Sequence, residues 1–151
     1  MFKTYALWIL LSEGVGALSG FLTREASKAF SAQVVQPPLS PPAVAFPIVW
    51  GILFALMGIG AARVSLKANS VKALRLFLLQ LAVNFIWTLL FFNGRMYGAA
   101  LVLLGLLLLM VIQMALAFYR KEKAAGWLQL PYCLWTAFAL YLNAGVWYLN
   151  R

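Results

Sequence analysis

The 151-residue chain has no histidine, three acidic residues and one cysteine. Without histidine it cannot form a His-based catalytic triad or a His-ligated metal site, and its acids, Glu13, Glu25 and Glu122, are too far apart in sequence to form a nearby carboxylate pair for hydrolysis. Cys133 has no partner for an intrachain disulfide, and a single thiol in an apolar segment does not make a zinc site. We therefore expect no metal site and no required cofactor.

Apolar side chains fill most of the sequence. Hydrophobic residues make up 65% of the chain and charged residues 10%, whereas soluble domains have about 45–50% and about 25%. This composition is typical of an integral membrane protein. The net charge of +9 comes from Lys and Arg in the short gaps between apolar segments, which indicates orientation in a lipid bilayer rather than nucleic-acid binding.

Five segments have the length of about 20 mostly apolar residues that a membrane-spanning helix needs. They are 5–22, 46–64, 71–92, 97–118 and 126–149. The sequence thus predicts an all-α integral membrane protein, a five-transmembrane-helix bundle with a long first loop, in one domain over 1–151. The last three connections are short, so those helices should be antiparallel neighbours. Glu13 interrupts the first apolar segment, so we expect no cleaved signal peptide.

Basic residues predict the orientation of the bundle. If the N-terminus lies on the cytoplasmic side, eight Lys and Arg residues lie on that side and four lie on the other. The cytoplasmic residues are Lys3, Arg63, Lys67, Lys72, Arg75, Arg120, Lys121 and Lys123. Those on the opposite side are Arg24, Lys28, Arg95 and Arg151. The positive-inside rule then places the N-terminus in the cytoplasm, and we expect the protein in a bacterial cell membrane.

Proline is concentrated in one place. Five of the six prolines lie in the stretch PPLSPPAVAFP, residues 37–47. Proline lacks a backbone N–H and keeps its preceding residue out of the helical region, so this segment should be rigid and extended. It could serve as a preformed lid, with Pro41 and Pro42 at its centre, or as a stiff linker. Pro47 suits the first turn of the next helix.

Polar residues in the third segment follow a helical stripe. Gln80, Asn84, Trp87 and Phe91 have the spacing of one helix face. Two amides facing lipid would be costly, so this face should meet protein or a cavity. The amides could hold helices together or contact a ligand, and the sequence leaves both roles open.

The fifth segment has a similar face. It carries Gln129, Tyr132, Thr136, Ala139 and Asn143, with Trp135 at its edge. We expect Pro131 to loosen this helix locally.

Trp50 and Phe54 lie on one face of the second segment. Together with this face of the fifth segment, and with Trp135 at its edge, they predict an aromatic cleft suited to a flat ligand.

Small residues mark two further faces. Gly16 and Gly20 lie one turn apart in the first segment, and the second segment carries the stripe Gly51, Ala55, Gly58 and Ala62. Such faces allow close backbone approach between helices or between two copies of the chain.

The chain resembles the TspO/MBR family, the translocator and tryptophan-rich sensory proteins. The resemblance is carried by PPLSPPAVAFPIVWGILFALMGIG, LQLAVNFIWTLLFF and LPYCLWTAFALYLNAGVWYLN, and it extends in order through all five segments. One departure concerns a Trp that many members carry just after the second Pro-Pro, because Ala43, Val44 and Ala45 stand there in this chain.

The resemblance implies a five-helix bundle, often a homodimer, with a pocket beneath the first loop. It implies binding of porphyrins such as protoporphyrin IX and haem-like tetrapyrroles, and in several members of sterols and benzodiazepine-type drugs, by a sensor, chaperone or carrier. Porphyrin breakdown rests on the resemblance alone, so we expect a binding protein rather than an enzyme. The expected partners are the lipid bilayer, a porphyrin or other hydrophobic small molecule and a second copy of the chain, without nucleic acid. The residues and the resemblance together predict a ligand site formed by Phe46, Trp50, Phe54, Asn84, Trp87, Tyr132, Trp135, Phe138 and Ala139, with Pro41 and Pro42 as its lid.

Glu13 supports an alternative function. A lone acid in LLSEGVGALSGF resembles the first helix of small multidrug transporters, which suggests a proton-coupled exporter of cationic drugs. We expect instead a protonated, inward-pointing Glu13 with a structural role, hydrogen-bonded to Gln80, Gln113 or Asn143.

The orientation can be tested with single cysteines engineered into the 63–75 loop and the proline segment. In intact cells an impermeant thiol reagent should label the proline segment and spare the 63–75 loop. Labelling of the 63–75 loop would reverse the assignment.

Overall fold

The computed structural model describes all 151 residues and contains seven helices and no strands, which confirms the all-α prediction. The helices are α1 (Phe2–Leu22), α2 (Arg24–Gln33), α3 (Ala45–Ser65), α4 (Val71–Phe92), α5 (Tyr97–Lys121), α6 (Lys123–Trp127) and α7 (Leu130–Leu149). Four of them, α1, α3, α4 and α5, are long and apolar enough to cross a membrane.

The fifth predicted segment, 126–149, is not one helix. A turn at Leu128 and Gln129 separates α6 from α7. The buried Gln129 side chain holds this turn by donating from Nε2 to the carbonyls of Leu56 and Ala125, at 3.3 and 3.4 Å. Pro131 falls in the first turn of α7, where its missing N–H leaves no bond unmade. The expectation that Pro131 loosens the helix interior is therefore wrong.

The first connection contains α2, a helix of ten residues that was not predicted from the sequence. Only Thr23 separates it from α1. The Thr23 hydroxyl donates a hydrogen bond to the carbonyl of Ser19 at 2.7 Å. Phe30 anchors α2 to the bundle, with ring centroids 5.2 Å from Phe91 and 5.4 Å from Phe92. Residues 34–44 remain outside any helix.

Small residues let α1 and α3 pack closely. A Cβ atom added to Gly58 would lie 2.5 Å from Cα of Ile9, and one added to Gly16 would lie 2.5 Å from the ring of Phe54. These glycines therefore serve contacts within the chain, whereas Gly20 and Gly51 face open space. On the other side, α5 packs against α4 and α7, and the backbones of α3 and α7 hardly meet.

An ion cluster joins the helix ends farthest from the proline segment. Glu122, between α5 and α6, pairs with Arg63 at the end of α3 and lies 3.5 Å from the amino group of Lys67. Burial alone would raise the pKa of Glu122, but the hydrogen bonds and positive charges of Arg63 and Lys67 outweigh it and lower that pKa. Glu122 is therefore ionised at neutral pH and ties α3 to the α5–α6 connection.

The proline segment is fastened to the end of α7. Asn150 accepts a hydrogen bond from the N–H of Val35 at 3.1 Å and donates to the carbonyl of Val35 at 2.7 Å. The hydroxyl of Tyr141 donates to the carbonyl of Pro38 at 2.7 Å. Pro37 lies directly over Gly145, where an added Cβ would come within 2.5 Å of its ring. The connection 34–44, which contains most of the proline segment, continues into α2 at one end and α3 at the other. Its first half is also bonded to α7 through these contacts.

We predict that Gly145→Ala lifts the proline segment from α7, because the rigid Pro37 ring cannot turn aside as a flexible side chain would. Overpacking of this kind costs about 1–3 kcal/mol. Hydrogen exchange of residues 34–44, followed by mass spectrometry, should become at least about fivefold faster.

The matched control is Gly105→Ala, because a Cβ there would meet nothing within 4 Å and alanine is the better helix former. Equal exchange of residues 34–44 in the two variants would show that Gly145 does not hold the segment.

Candidate functional site

A cavity of about 790 Å³ opens among α1, α3, α4 and α7, beneath α2 and the proline segment. Its position follows from the packing of the bundle, because α3 packs along α1 and has almost no backbone contact with α7. A volume of this size is within the range of small-molecule sites, about 300–1,000 Å³.

Aromatic rings form the walls and floor of the cavity. They come from four helices and comprise Phe30, Phe46, Trp50, Phe54, Trp87, Phe91, Phe92 and Trp135. Trp50 is central, with ring centroids 6.3 Å from Trp87 and 6.5 Å from Trp135. These separations are typical of interacting aromatic pairs, so the rings bridge the gap between α3 and α7 that the backbones leave open.

A chain of buried amides lies behind one wall. Asn84 donates from Nδ2 to the hydroxyl of Tyr132 at 2.7 Å, and this hydroxyl donates to Oε1 of Gln80, also at 2.7 Å. Gln80 also donates from Nε2 toward the sulfur of Met57 at 3.6 Å. Gln80 therefore links helices, and Asn84 both links helices and lines the cavity.

A second pair of hydrogen bonds fixes Trp87. Its indole N–H donates to Oδ1 of Asn143 at 3.0 Å, and Asn143 donates from Nδ2 to the carbonyl of Tyr97 at 2.9 Å. Because these bonds orient the indole, Trp87 presents its ring, not its N–H, to the cavity. Trp135 differs, since its shielded Nε1 has no hydrogen-bond partner.

Most residues of the predicted site lie on the cavity wall, namely Phe46, Trp50, Phe54, Asn84, Trp87, Trp135 and Ala139, with Pro41 in the roof. Three do not. Tyr132 is fully buried behind Asn84, and Pro42 is exposed and outside the lining. Phe138 lies in a separate apolar groove on the far side of Trp135.

The sequence interpretation missed the contribution of α1 and α2. The missed lining residues on these helices, and at the residue between them, are Glu13, Gly16, Ala17, Ser19, Gly20, Thr23, Arg24, Ser27, Phe30 and Ser31. The small residues of α1 could have indicated this part of the lining, because a helix face of glycine and alanine can border a cavity as well as another helix. Phe91 also lines the cavity, one turn beyond Trp87 in the stripe that the spacing identified.

Glu13 lies on the cavity wall, so it points inward as expected. The expected hydrogen bond to Gln80, Gln113 or Asn143 is absent. Gln80 and Asn143 bond to other groups, Gln113 is exposed, and Glu13 forms neither a hydrogen bond nor an ion pair. Arg24 is the other charged residue of the lining, at its outer end. No group of three His, Cys, Asp or Glu side chains is arranged to hold a metal ion.

Sequence comparison relates the chain to one family of proteins along nearly its whole length. The profile described as TspO/MBR family matches residues 8–149. The chain is 37% identical over 151 residues to the Tryptophan-rich protein TspO of Chlorobaculum tepidum, covering 97% of this chain and 96% of that protein. It is 35% identical over 144 residues to the Translocator protein of Bos taurus, covering 89% and 85%. The TspO protein of Archaeoglobus fulgidus is 33% identical over 144 residues, with 94% of each chain covered.

We predict that Tyr132→Phe destabilises the protein, because it leaves Oε1 of Gln80 without a donor and Nδ2 of Asn84 without an acceptor. An unsatisfied buried polar group costs about 1–3 kcal/mol, so the thermal unfolding temperature of the purified protein should fall by several degrees. Tyr119→Phe is the control, since the hydroxyl of this exposed residue has no hydrogen-bond partner. Equal unfolding temperatures for the two variants would contradict the structural role of the Tyr132 hydroxyl.

Proposed function

The chain belongs to the TspO/MBR family, and from this membership we propose that its cavity binds a porphyrin-type tetrapyrrole within the membrane. In this proposal the protein is a tetrapyrrole sensor, chaperone or carrier, and sterols or benzodiazepine-type compounds are further candidate ligands. The observation that carries the proposal is the cavity of about 790 Å³ with aromatic walls. Flat conjugated rings stack on aromatic faces and lose contact with water there.

The protein is an integral membrane protein, and we propose that α7 completes a five-helix bundle around the cavity. This helix has 20 residues, about 30 Å by helix geometry, and carries no charge. It contains three tyrosines, two tryptophans and one asparagine, and it is not among the four helices that are long and apolar enough to cross a membrane by composition alone. We further propose a homodimer in a bacterial cell membrane with the N-terminus in the cytoplasm, as the Lys and Arg distribution indicates.

Porphyrin binding can be measured with the purified wild-type protein by quenching of tryptophan fluorescence during titration with protoporphyrin IX. Variant affinities are better read from the porphyrin Soret absorbance, because the substitutions remove fluorophores. Trp50→Ala and Trp135→Ala should each weaken binding about tenfold or more, since each removes buried contact area as well as a stacking face.

Trp127→Ala is the matched control, because Trp127 is 63% exposed and lies outside the cavity lining. If Trp50→Ala and Trp135→Ala both fold and both bind as the wild type does, the ligand does not occupy this cavity. Failure of the wild type to bind protoporphyrin IX would reject the proposed ligand class.

A proton-coupled exporter remains the second candidate, because Glu13 lines the cavity and has no partner that would occupy its carboxyl group. This function requires efflux of a cationic dye driven by a proton gradient, and loss of that efflux in Glu13→Gln. Porphyrin binding makes the opposite prediction, with affinity in Glu13→Gln close to the wild-type value and no dye efflux in either protein.

A further inference from the structure

One face of α2 forms a polar edge of the cavity. Arg24, Ser27 and Ser31 have the i, i+3, i+7 spacing of a single helix face, and all three line the cavity. The opposite charge nearest to them, Glu25, projects away, with a side chain that is 77% exposed. Because Phe30 fixes α2 against α4, this polar face has a defined position above the aromatic walls.

The hydroxyl donors on this face are not used within the protein, and the Arg24 guanidinium has only a long contact with a carboxylate. The hydroxyl groups of Ser27 and Ser31 have no hydrogen-bond partner, whereas those of Ser19 and Ser40, which also line the cavity, bond to the carbonyls of Gly16 and Pro37. The Arg24 guanidinium packs over the ring of Phe21, 4.2 Å from its centroid, and its Nε lies 3.7 Å from the Glu25 carboxylate. A contact at this distance leaves the guanidinium donors free for a better acceptor.

Charge is divided along the cavity. Arg24 is the cation of the lining and Glu13 the acid. Glu13 lies midway along α1, whereas Arg24 begins α2, so the two charges belong to different helices. Aromatic rings lie below the polar face of α2. The cavity therefore combines an apolar interior with an electropositive edge beneath the proline segment. This combination fits a ligand with a flat apolar body and an anionic oxygen group at one end.

We propose that Arg24, Ser27 and Ser31 form a carboxylate subsite that orients the bound ring compound, with its acid groups toward α2 and its ring among Trp50, Trp87 and Trp135. Arginine binds carboxylates through two parallel N–H···O bonds, and charge-assisted bonds of this kind are about twice as strong as neutral ones. The subsite rests on the proposed function, because it identifies which part of a tetrapyrrole the protein recognises. The shared chemistry is an anionic oxygen group, so a phospholipid phosphate is the competing source.

The test compares protoporphyrin IX, which has two carboxylates, with its dimethyl ester, which has the same macrocycle and no charge. Proteins are placed in nanodiscs of phosphatidylcholine, and affinities are read from the Soret absorbance. Arg24→Gln should weaken binding of the diacid about tenfold and leave binding of the ester unchanged, and Arg24→Lys should retain an intermediate affinity. Ser27→Ala with Ser31→Ala should lower affinity for the diacid by a smaller factor.

Lys28→Gln is the matched control. Lys28 is on the same helix, is also exposed and also lies 3.7 Å from Glu25, but it does not line the cavity. An equal loss in Lys28→Gln would mean that general surface charge attracts the porphyrin, and this would overturn the subsite. Equal weakening of diacid and ester by Arg24→Gln would also overturn it, because the residue would then act on the fold.

Three other results separate the subsite from its alternatives. If Arg24→Gln changes neither porphyrin affinity in phosphatidylcholine nanodiscs, Arg24 does not hold the porphyrin carboxylates, and the carboxylate subsite is rejected while porphyrin binding stands. If adding anionic phosphatidylglycerol to the nanodiscs lowers the wild-type affinity for the diacid to the Arg24→Gln value and leaves Arg24→Gln unchanged, the anion that Arg24 binds in a membrane is a lipid phosphate, and the subsite is likewise rejected. If the wild type binds neither porphyrin, the proposed function itself fails. Retained binding of the ester by Arg24→Gln demonstrates that the variant is folded.

Discussion

The close approach of α1 and α3 is the contact on which the rest of the molecule depends. In lipid, apolar side chains gain little from meeting one another, so helices associate where small residues let their backbones approach. Gly58 against Ile9 and Gly16 against Phe54 provide this approach. The backbone of α3 packs along α1 and hardly meets that of α7, and aromatic side chains occupy the space between α3 and α7.

The polar groups inside the bundle fall into two classes with different consequences. Gln80, Tyr132, Asn143 and the N–H of Trp87 bond to one another or to the backbone, so they fix the positions of the helices and keep the walls rigid. Arg24, Ser27 and Ser31, at the outer end, have few or no internal partners. Rigid walls and an unsatisfied edge are what a binding site requires, because preorganised surfaces lose little entropy when they are occupied.

The sequence predicted which residues share a face of one helix better than it predicted the contacts between helices. The spacing of Gln80, Asn84, Trp87 and Phe91 identified a face whose members are all buried, because helical periodicity is a local property. The position of Tyr132 behind Asn84 depends on how far apart α4 and α7 lie, which no local pattern encodes. For the same reason the α1 and α2 edge of the cavity was missed. The break before α7 was missed because the Gln129 side chain bonds to α3, a contact between distant parts of the chain.

The attachment of the proline segment to α7 also has a consequence for biosynthesis. Val35 and Asn150 are 115 residues apart in sequence, so the segment leaves the ribosome long before its anchor exists. Chains are made from the N-terminus, and their early parts begin to fold first. Through most of synthesis α1 and α3 can pair while the segment above them stays undocked. The cavity is consequently the last part of the protein to be completed, and it is not enclosed until the final helix is in place.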